Sequence, residues 1–192
     1  MEQRPVIAIT MGDPCGIGPE VVAKAVDRPD IRGLCTPLVV GNAAILMDIV
    51  ARLGLGLRVV EVESAGEASA QGTAAHRGDE DRATVVVLDP HNLDISAIVL
   101  GQVAADAGKA SVEWVEQAAR LCLSGDVQAM ATAPINKEAA AATGYVEIGH
   151  TELLQKLAGS PEVATMLVSG ELRVVHLTTH RSLRAACDAV TK

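Results

Sequence analysis

The chain has 192 residues, a length that fits one full domain or one domain and part of a second. With 49% hydrophobic and 21% charged residues, its composition is that of a packed globular protein and not of a disordered one. The formal net charge of −8 argues against a general nucleic-acid-binding surface but leaves room for a local cationic pocket that holds one phosphate. One Trp, one Tyr and no Phe leave the core to Val, Leu, Ile and Ala, which suits buried parallel strands under Ala-rich helices.

The cysteines are scattered along the chain without a C-x-x-C pair, at Cys15, Cys35, Cys122 and Cys187. This spacing argues against a disulfide framework or a structural zinc site and predicts reduced thiols, as in a cytoplasmic protein. The apolar run before Gly12 is too short for a signal peptide, and no later stretch has the length of a membrane span. We therefore expect neither a membrane nor a nucleic acid as a partner.

The first third of the chain alternates between short apolar runs and helical patterns. The predicted elements are a strand at 6–10, a helix opened by Pro19, a strand at 38–40, a helix from the cap Asn42 to Gly54, and a strand at 57–62. This β-α-β-α-β alternation predicts a mostly parallel sheet with helices on its faces.

Residues 64–82 are polar and without a period, and they are predicted to form a loop. The predicted elements after it are a strand at 84–88, a helix at 103–123, a strand at 127–133, helices at 136–142 and 152–157, extended segments at 163–168 and 172–178, and a last helix capped by Ser182. We expect a first α/β domain over residues 1–132 and the start of a second, truncated one over residues 133–192.

Motif 1 is the segment 10–20, with the sequence TMGDPCGIGPE, between the first predicted strand and the first helix. Its glycines allow the backbone to approach a ligand, and the helix that follows offers unpaired N–H groups. A tight β-α connection explains the same spacing. The segment is neither G-x-G-x-x-G nor a P-loop. Asp13 is the residue in it that we select as a catalytic candidate.

Motif 2 is the segment 131–138, with the sequence ATAPINKE, where a predicted strand end meets a helix start. Ligands of open α/β sheets lie at the carboxyl ends of strands, so Asn136 and Lys137 are well placed to bind one. Lys137 can hold a phosphate or a carboxylate as a point charge. The structural alternative is an Asn helix cap followed by a solvated Lys.

Motif 3 is the segment 149–154, with the sequence GHTELL, again a turn that enters a helix. Thr151 is a candidate cap for this helix. His150, just ahead of Thr151, can donate a hydrogen bond to an anionic substrate.

Motif 4 is the segment 174–180, with the sequence VVHLTTH. On a strand, His176 and His180 share a face but lie roughly 13 Å apart at ~3.3 Å per residue, too far to chelate one metal ion. His180, at the strand end, is the better metal-ligand candidate, and His176 is expected to be a half-buried sheet residue.

In this order, the four motifs resemble the PdxA-type 4-hydroxythreonine-4-phosphate dehydrogenases, and the resemblance runs from Val6 to about Arg184. Two departures are visible, Cys15 where Ala is usual and Ile148 ahead of Gly-His-Thr, and neither removes a polar functional group. Family members continue for most of another domain with segments that carry further metal and substrate ligands. The resemblance therefore also implies a truncated chain, a fragmentary gene product or a degenerate relative.

The resemblance implies an isocitrate/isopropylmalate-dehydrogenase-like fold, with two domains, an active-site cleft and a homodimer. It implies NAD and a divalent metal ion (Zn, Mg or Co) as cofactors, in the oxidation and decarboxylation of a 4-phosphorylated four-carbon acid. His150 and Thr151 match the family's substrate-binding pair, and His180 matches the first of its three metal-ligating histidines. Lys137 and Asp13 as catalytic groups, and Asn136 as a substrate ligand, are our own candidates.

Two substrates fit the motifs equally. One is 4-phosphooxy-L-threonine, of pyridoxal phosphate biosynthesis, and the other is D-threonate or D-erythronate 4-phosphate, of carbohydrate catabolism. They differ in whether C2 carries an amino group or a hydroxyl. A third alternative is an inactive fragment that lacks the remaining metal and substrate ligands.

Overall fold

The computed structural model describes residues 4–68, 83–145, 149–178 and 181–191. Its strands are β1 (Val6–Thr10), β2 (Thr36–Val40), β3 (Leu57–Val62), β4 (Ala83–Leu88), β5 (Ala129–Thr132), β6 (Met166–Ser169) and β7 (Leu172–Val175). Its helices are α1 (Gly18–Asp27), α2 (Pro29–Leu34), α3 (Ala43–Arg52), α4 (Ala105–Ser124), α5 (Lys137–Ala141), α6 (His150–Ala158) and α7 (Leu183–Asp188), with a 3-10 turn at Ile95–Ala97.

Strands β1 to β5 form one sheet in the order β3-β4-β2-β1-β5, and every pairing in it is parallel. β1 lies between β2 and β5, with Thr10 paired to Val40 on one side and to Thr132 on the other. The last residues of these three strands therefore meet at one edge of the sheet, where motifs 1 and 2 begin. The predicted parallel α/β sheet is confirmed.

Helices cover both faces of this sheet. The chain moves from β1 outward to β2 and β3 through α1 and α3, and it moves back across the sheet from β4 to β5 through α4. Since such crossovers are right-handed, opposite directions of travel place α1 and α3 on one face and α4 on the other. α1 packs against α3, while α4 packs against β1, β2 and β5.

The core is aliphatic, as the composition predicted, and β2 and β4 are its most continuously buried strands. Both strands are buried on two faces, with Leu38, Val39 and Val87 fully inaccessible to solvent. Trp114 of α4 is also fully buried, and its indole N–H donates to Oδ1 of Asn92 at 3.0 Å. The hydrogen bond satisfies the indole's polar atom inside the core.

Strands β6 and β7 form a separate antiparallel hairpin outside the parallel sheet. Gly170, in the left-handed conformation (φ 57°), makes its turn. Every residue of both strands is exposed, with large apolar side chains at Leu167, Val168 and Leu172. The extended segments predicted here are confirmed over a shorter length, and their pairing with each other is a feature that periodicity did not reveal.

Two predictions of secondary-structure bounds are wrong. Residues 65–68, predicted as loop, are helical, because Ala65 and Ala68 are buried against the core and supply a short apolar face. Helix α6 begins at His150 and not at Glu152, with Gly149 in extended backbone as the residue before it. The remaining predicted helices and strands are present with ends shifted by a few residues, and Asn42 and Ser182 cap their helices as predicted.

The cysteines are free thiols, with Cys15 buried and Cys187 exposed. Among the described residues, no helix is both long enough and apolar enough to cross a membrane.

Candidate functional site

Motif 1 and motif 2 are held together by their backbones. The N–H of Asp13 donates to the carbonyl oxygen of Pro134 at 2.9 Å, and Ala133 N–H donates to the carbonyl oxygen of Thr10 at 3.2 Å. Gly12 has φ +75°, and a Cβ at this position would collide with the Pro134 carbonyl oxygen. The glycine is therefore required both for its left-handed conformation and for the close approach of the two motifs.

Asp13, a predicted catalytic residue, stabilises the turn of motif 1. Its side chain is buried, its Oδ1 accepts from the backbone N–H of Cys15 at 2.9 Å, and its carbonyl oxygen accepts from Gly16 N–H at 3.0 Å. Such a side-chain-to-backbone bond two residues ahead is an Asx-turn. The structure therefore gives Asp13 a positioning role, as in the tight-connection interpretation, and its catalytic role stays a prediction.

Cys15 adds a buried thiol to the same turn. Burial raises the pKa of this thiol most, and the nearby Asp13 carboxylate raises it further. A thiol of raised pKa is protonated at neutral pH, so Cys15 is a packing residue here and not a nucleophile.

Asn136 caps α5. Its Oδ1 accepts from the backbone N–H groups of Glu138 (3.0 Å) and Ala139 (3.1 Å), which are unpaired at a helix start. Lys137 is the first residue of this helix, and it is exposed. A cation at a helix N-terminus opposes the helix dipole, so its position is unfavourable for stability and suits an incoming anion.

The position of α5 is set by a close helix–helix contact. Gly108 of α4 lies so near Ala139 that a Cβ would collide with the carbonyl group of Ala139 and with the backbone nitrogen of Ala140. Motif 2 is therefore fixed from two sides, by Gly12 at its beginning and by Gly108 behind its helix. The sequence signal for this contact is an isolated glycine within the helical pattern of α4.

His150 is the most unusual polar group of the site. Its side chain is half-buried, and its Nε2 is buried without a hydrogen-bond partner among the described residues. Burial lowers the pKa of this imidazole most, and the positive charge of Lys137 lowers it further. His150 is therefore neutral at pH 7, and motifs 2 and 3 are brought into the same electrostatic environment.

Thr151 does not cap α6, so that prediction is wrong. The helix begins one residue earlier, Thr151 lies exposed in its first turn, and no side chain caps this helix. The N–H groups of its first turn have no side-chain acceptor, but the Glu152 carboxylate lies against Gly149 at the same helix end, so a bound anion would have to displace that charge.

The predicted metal ligand His180 lies outside the described residues, as does Ile148. His176 follows the end of β7 and is exposed, so the expectation of a half-buried sheet residue is wrong. The hairpin contributes no buried face to hold that side chain.

The described part of the site thus combines the cation of Lys137, a neutral imidazole with an unsatisfied nitrogen and an uncapped helix N-terminus. The Lys137 cation favours a bound anion, and the imidazole offers a nitrogen for a hydrogen bond to it. The site is open to solvent at Lys137 and Thr151, and its scaffold is the carboxyl edge of the parallel sheet.

Comparison with known proteins identifies the family of the chain. Residues 33–192 match the family described as pyridoxal phosphate biosynthetic protein PdxA. A protein of Symbiobacterium thermophilum, provisionally named D-threonate 4-phosphate dehydrogenase, is 39% identical over 192 residues, which are 100% of this chain and 54% of that protein.

Two solved structures are similar to this chain over nearly its whole length. The 4-hydroxythreonine-4-phosphate dehydrogenase of Burkholderia phymatum superposes with a TM-score of 0.82 at 35% identity, over 96% of this chain and 52% of that one. The enzyme of that name from Klebsiella pneumoniae gives 0.81 at 35% identity, over 96% and 53%.

The chain spans about half the length of the relatives that it matches. The family match covers residues 33–192, and the solved structures cover 96% of the chain. The chain belongs to the PdxA family.

Proposed function

We propose that this chain provides the substrate-anion site of an NAD-dependent, divalent-metal-assisted dehydrogenase that oxidises 4-phosphooxy-L-threonine, with loss of CO₂, in pyridoxal phosphate biosynthesis in the cytoplasm. The observation that carries the proposal is the buried, unpartnered Nε2 of His150 within the electrostatic reach of Lys137. An unsatisfied buried nitrogen costs about 1–3 kcal/mol, which a hydrogen bond to the substrate removes.

The side chains of the site have distinct roles in this proposal. Lys137 neutralises the phosphate or the carboxylate of the substrate as a point charge. His150 positions the substrate through a hydrogen bond at Nε2, and Thr151 offers a hydroxyl in the first turn of α6. Asn136 and Asp13 hold the backbone on which these groups stand, through the cap of α5 and the turn of motif 1.

We propose His180 as one ligand of the divalent metal ion, with a homodimer as the working form. When bound, such an ion (Zn, Mg or Co) supplies Lewis-acid polarisation of the C3 oxygen, and NAD supplies the hydride acceptor.

A second candidate substrate is D-threonate 4-phosphate or its D-erythronate isomer. It is favoured by the name of the Symbiobacterium thermophilum relative. Both candidates carry a terminal phosphate and a carboxylate, so the anion site serves either one. The group on C2 decides between them.

We also propose that residues 1–192 by themselves bind the substrate anion without turning it over. A catalytic metal ion needs about three protein ligands and an open position, and the relatives carry about as much chain again.

Isothermal titration tests the anion site. The wild-type chain is titrated with 4-phosphooxy-L-threonine and with D-threonate 4-phosphate, beside Lys137→Ala and His150→Ala. Each substitution removes a hydrogen bond to a charged group, worth about 1.5–3 kcal/mol, so the affinity should fall roughly 10- to 100-fold.

Lys24→Ala is the matched control, because Lys24 is an exposed lysine of α1 that pairs with Glu20. Equal affinity in the control and in Lys137→Ala would contradict the proposal. Tighter binding of D-threonate 4-phosphate would select the second substrate and leave the site assignment intact.

A further inference from the structure

A second group of chemically active side chains lies at the same carboxyl edge of the parallel sheet, toward its β3 side. It consists of Glu61 on β3, with Asp89 and His91 just after β4, and we name it the edge cluster. In the strand order β3-β4-β2-β1-β5, β2 separates β4 from β1, so neighbouring strands ~4.8 Å apart place the edge cluster on the order of 10 Å or more from motif 1. The edge cluster is thus separate from the anion site of motifs 2 and 3.

The imidazole of His91 lies between the two carboxylates. Its Nε2 is 3.0 Å from Oε1 of Glu61, and its Nδ1 is 3.8 Å from Oδ1 of Asp89. One ligand atom from each of the three residues lies within 4.8 Å of the other two. Ligands at ~2.0–2.2 Å from one Zn²⁺ ion lie about 3–4 Å apart, so a small contraction brings this set around an ion.

Asp89 is held rigidly by groups that do not belong to the edge cluster. Its side chain is 4% exposed, and its Oδ2 accepts from the backbone N–H of Ala43 (2.9 Å) and from Nδ2 of Asn42 (3.1 Å). Its Oδ1 accepts from the backbone N–H of His91 at 2.8 Å and keeps a lone pair for a further partner. Hydrogen bonds that orient a ligand in this way are typical of metal sites.

The other two ligands are brought to Asp89 by the backbone. The register Val62↔Leu88 places the end of β3 beside the end of β4. His91 has φ 53°, a left-handed conformation uncommon for a residue with a side chain. Both features direct the edge cluster to one point at the rim of the sheet.

We propose that the edge cluster is a binding site for a divalent cation that accepts imidazole and carboxylate ligands, Zn²⁺ or Co²⁺. The ion replaces the close contact between Nε2 of His91 and Oε1 of Glu61, and it binds the imidazole through one ring nitrogen. Since the side chains of His91 and Glu61 are 73% and 41% exposed, water fills the remaining coordination positions. The bound ion fastens the edge strand β3 to the segment after β4.

The test measures binding and unfolding, and it does not depend on turnover. The chain is stripped with a chelator and titrated with Zn²⁺ by calorimetry and with Co²⁺ by visible absorption. His91→Gly removes a ligand and relieves the left-handed backbone, so loss of binding in this variant does not reflect a misfolded protein. Glu61→Gln removes the carboxylate of β3 while keeping its shape.

We expect one ion per chain at the edge cluster, a rise in melting temperature with Zn²⁺, and at least about tenfold weaker binding in both variants. Glu63→Gln, an exposed glutamate just beyond β3, is the matched control and should bind as the wild type does. His180→Ala should also keep the edge-cluster ion, so failure of the proposed catalytic metal site is distinguishable from failure here.

Three outcomes would overturn the proposal. One is no Zn²⁺ binding in the wild-type chain, and another is binding unchanged in both His91→Gly and Glu61→Gln. The third is a Co²⁺ spectrum with thiolate charge-transfer bands, which would assign the ion to cysteines. In each of these cases the edge cluster is a set of close polar contacts that binds no ion.

Discussion

The backbone N–H of Asp13 donates to the carbonyl oxygen of Pro134 across 2.9 Å, and the two residues are the closest link between motif 1 and motif 2. Gly12 makes the approach possible, because any Cβ there would occupy the position of the Pro134 oxygen. The geometry of the anion site thus depends on a contact between two loops far apart in the sequence.

Gly12→Ala tests this contact. The left-handed backbone costs an alanine about 1 kcal/mol, and the collision with Pro134 adds about 1–3 kcal/mol of overpacking. Gly54→Ala is the matched control, since Gly54 also has a positive φ of 63° but no atom within 4 Å of its Cβ position. Urea unfolding should show a loss of about 2–4 kcal/mol for Gly12→Ala and about 1 kcal/mol for the control. Equal losses of stability in the two variants would mean that motif 2 moves away from the new Cβ without destabilising the protein.

Gly108→Ala and Gly33→Ala should change stability in opposite directions. Both glycines lie in helices, where alanine gains up to about 1 kcal/mol of propensity. Nothing lies within 4 Å of a Cβ at Gly33, whereas a Cβ at Gly108 collides with the carbonyl group of Ala139. We expect Gly33→Ala to stabilise the protein and Gly108→Ala to destabilise it in chemical unfolding. A stabilised Gly108→Ala would show that α5 can shift away from α4.

The imidazole of His150 should make stability depend on pH. Burial and Lys137 hold its folded-state pKa below the value of 6.5, so the unfolded chain binds more protons in the window below 6.5. The free energy of unfolding should therefore fall as the pH drops through this window, and His150→Gln should flatten that fall.

Binding of an anion beside the imidazole of His150 raises its pKa again, so substrate binding near pH 6 should take up a proton. Calorimetry in two buffers of different ionisation enthalpy measures this uptake. Proton uptake that persists in His150→Gln would assign it to another group.

Asn136 has two assigned roles, a helix cap in the structure and a substrate ligand in the sequence prediction. Asn136→Ala removes both and should cost about 1 kcal/mol of stability. Asn136→Ser keeps an oxygen that can cap and removes the amide. If the amide contacts the substrate, Asn136→Ser should fold as stably as the wild type and bind the substrate more weakly. If Asn136→Ser binds the substrate with wild-type affinity, Asn136 acts only as a helix cap and not as a substrate ligand.

His180 should ligate the catalytic metal ion in a protein of the relatives' full length. His180→Ala is expected to lose metal-dependent turnover and bound metal together, since one of about three protein ligands is missing. His176→Ala is the control, because His176 is exposed beyond the end of β7. Metal content is measured by atomic emission after dialysis. Retention of both metal and activity in His180→Ala would contradict the assignment.

Local sequence signals were sufficient for most of the fold. These signals act over a few residues, and the structure confirms the elements that they predicted. They are the apolar runs of β1, β2 and β4, the helix cap Asn42, and Pro19 at the start of α1. The short helix at 65–68 was missed because its two buried alanines give almost no periodic signal.

The functional geometry was less accessible to sequence reasoning. The edge cluster unites Glu61 with residues 28 and 30 positions later, and only the register of β3 on β4 brings them together. In the same way, the lowered pKa of the His150 imidazole depends on burial by the fold and on the charge of Lys137 from another motif. Motif wording selected the candidate segments, and packing decides which contacts their described side chains make.

The place of β1 between β2 and β5 also has a consequence for the order in which the chain can assemble. β1 pairs with β2 about 30 residues ahead, as in Ile7↔Pro37, and with β5 about 120 residues ahead, as in Ile7↔Ala129. A chain emerging from the ribosome can therefore form β1 to β4 while the Asp13 N–H still lacks Pro134. Four of the five strands can pair before motifs 1 and 2 come into contact. Anion binding is thus a property that the nascent protein acquires only when β5, α5 and α6 have docked.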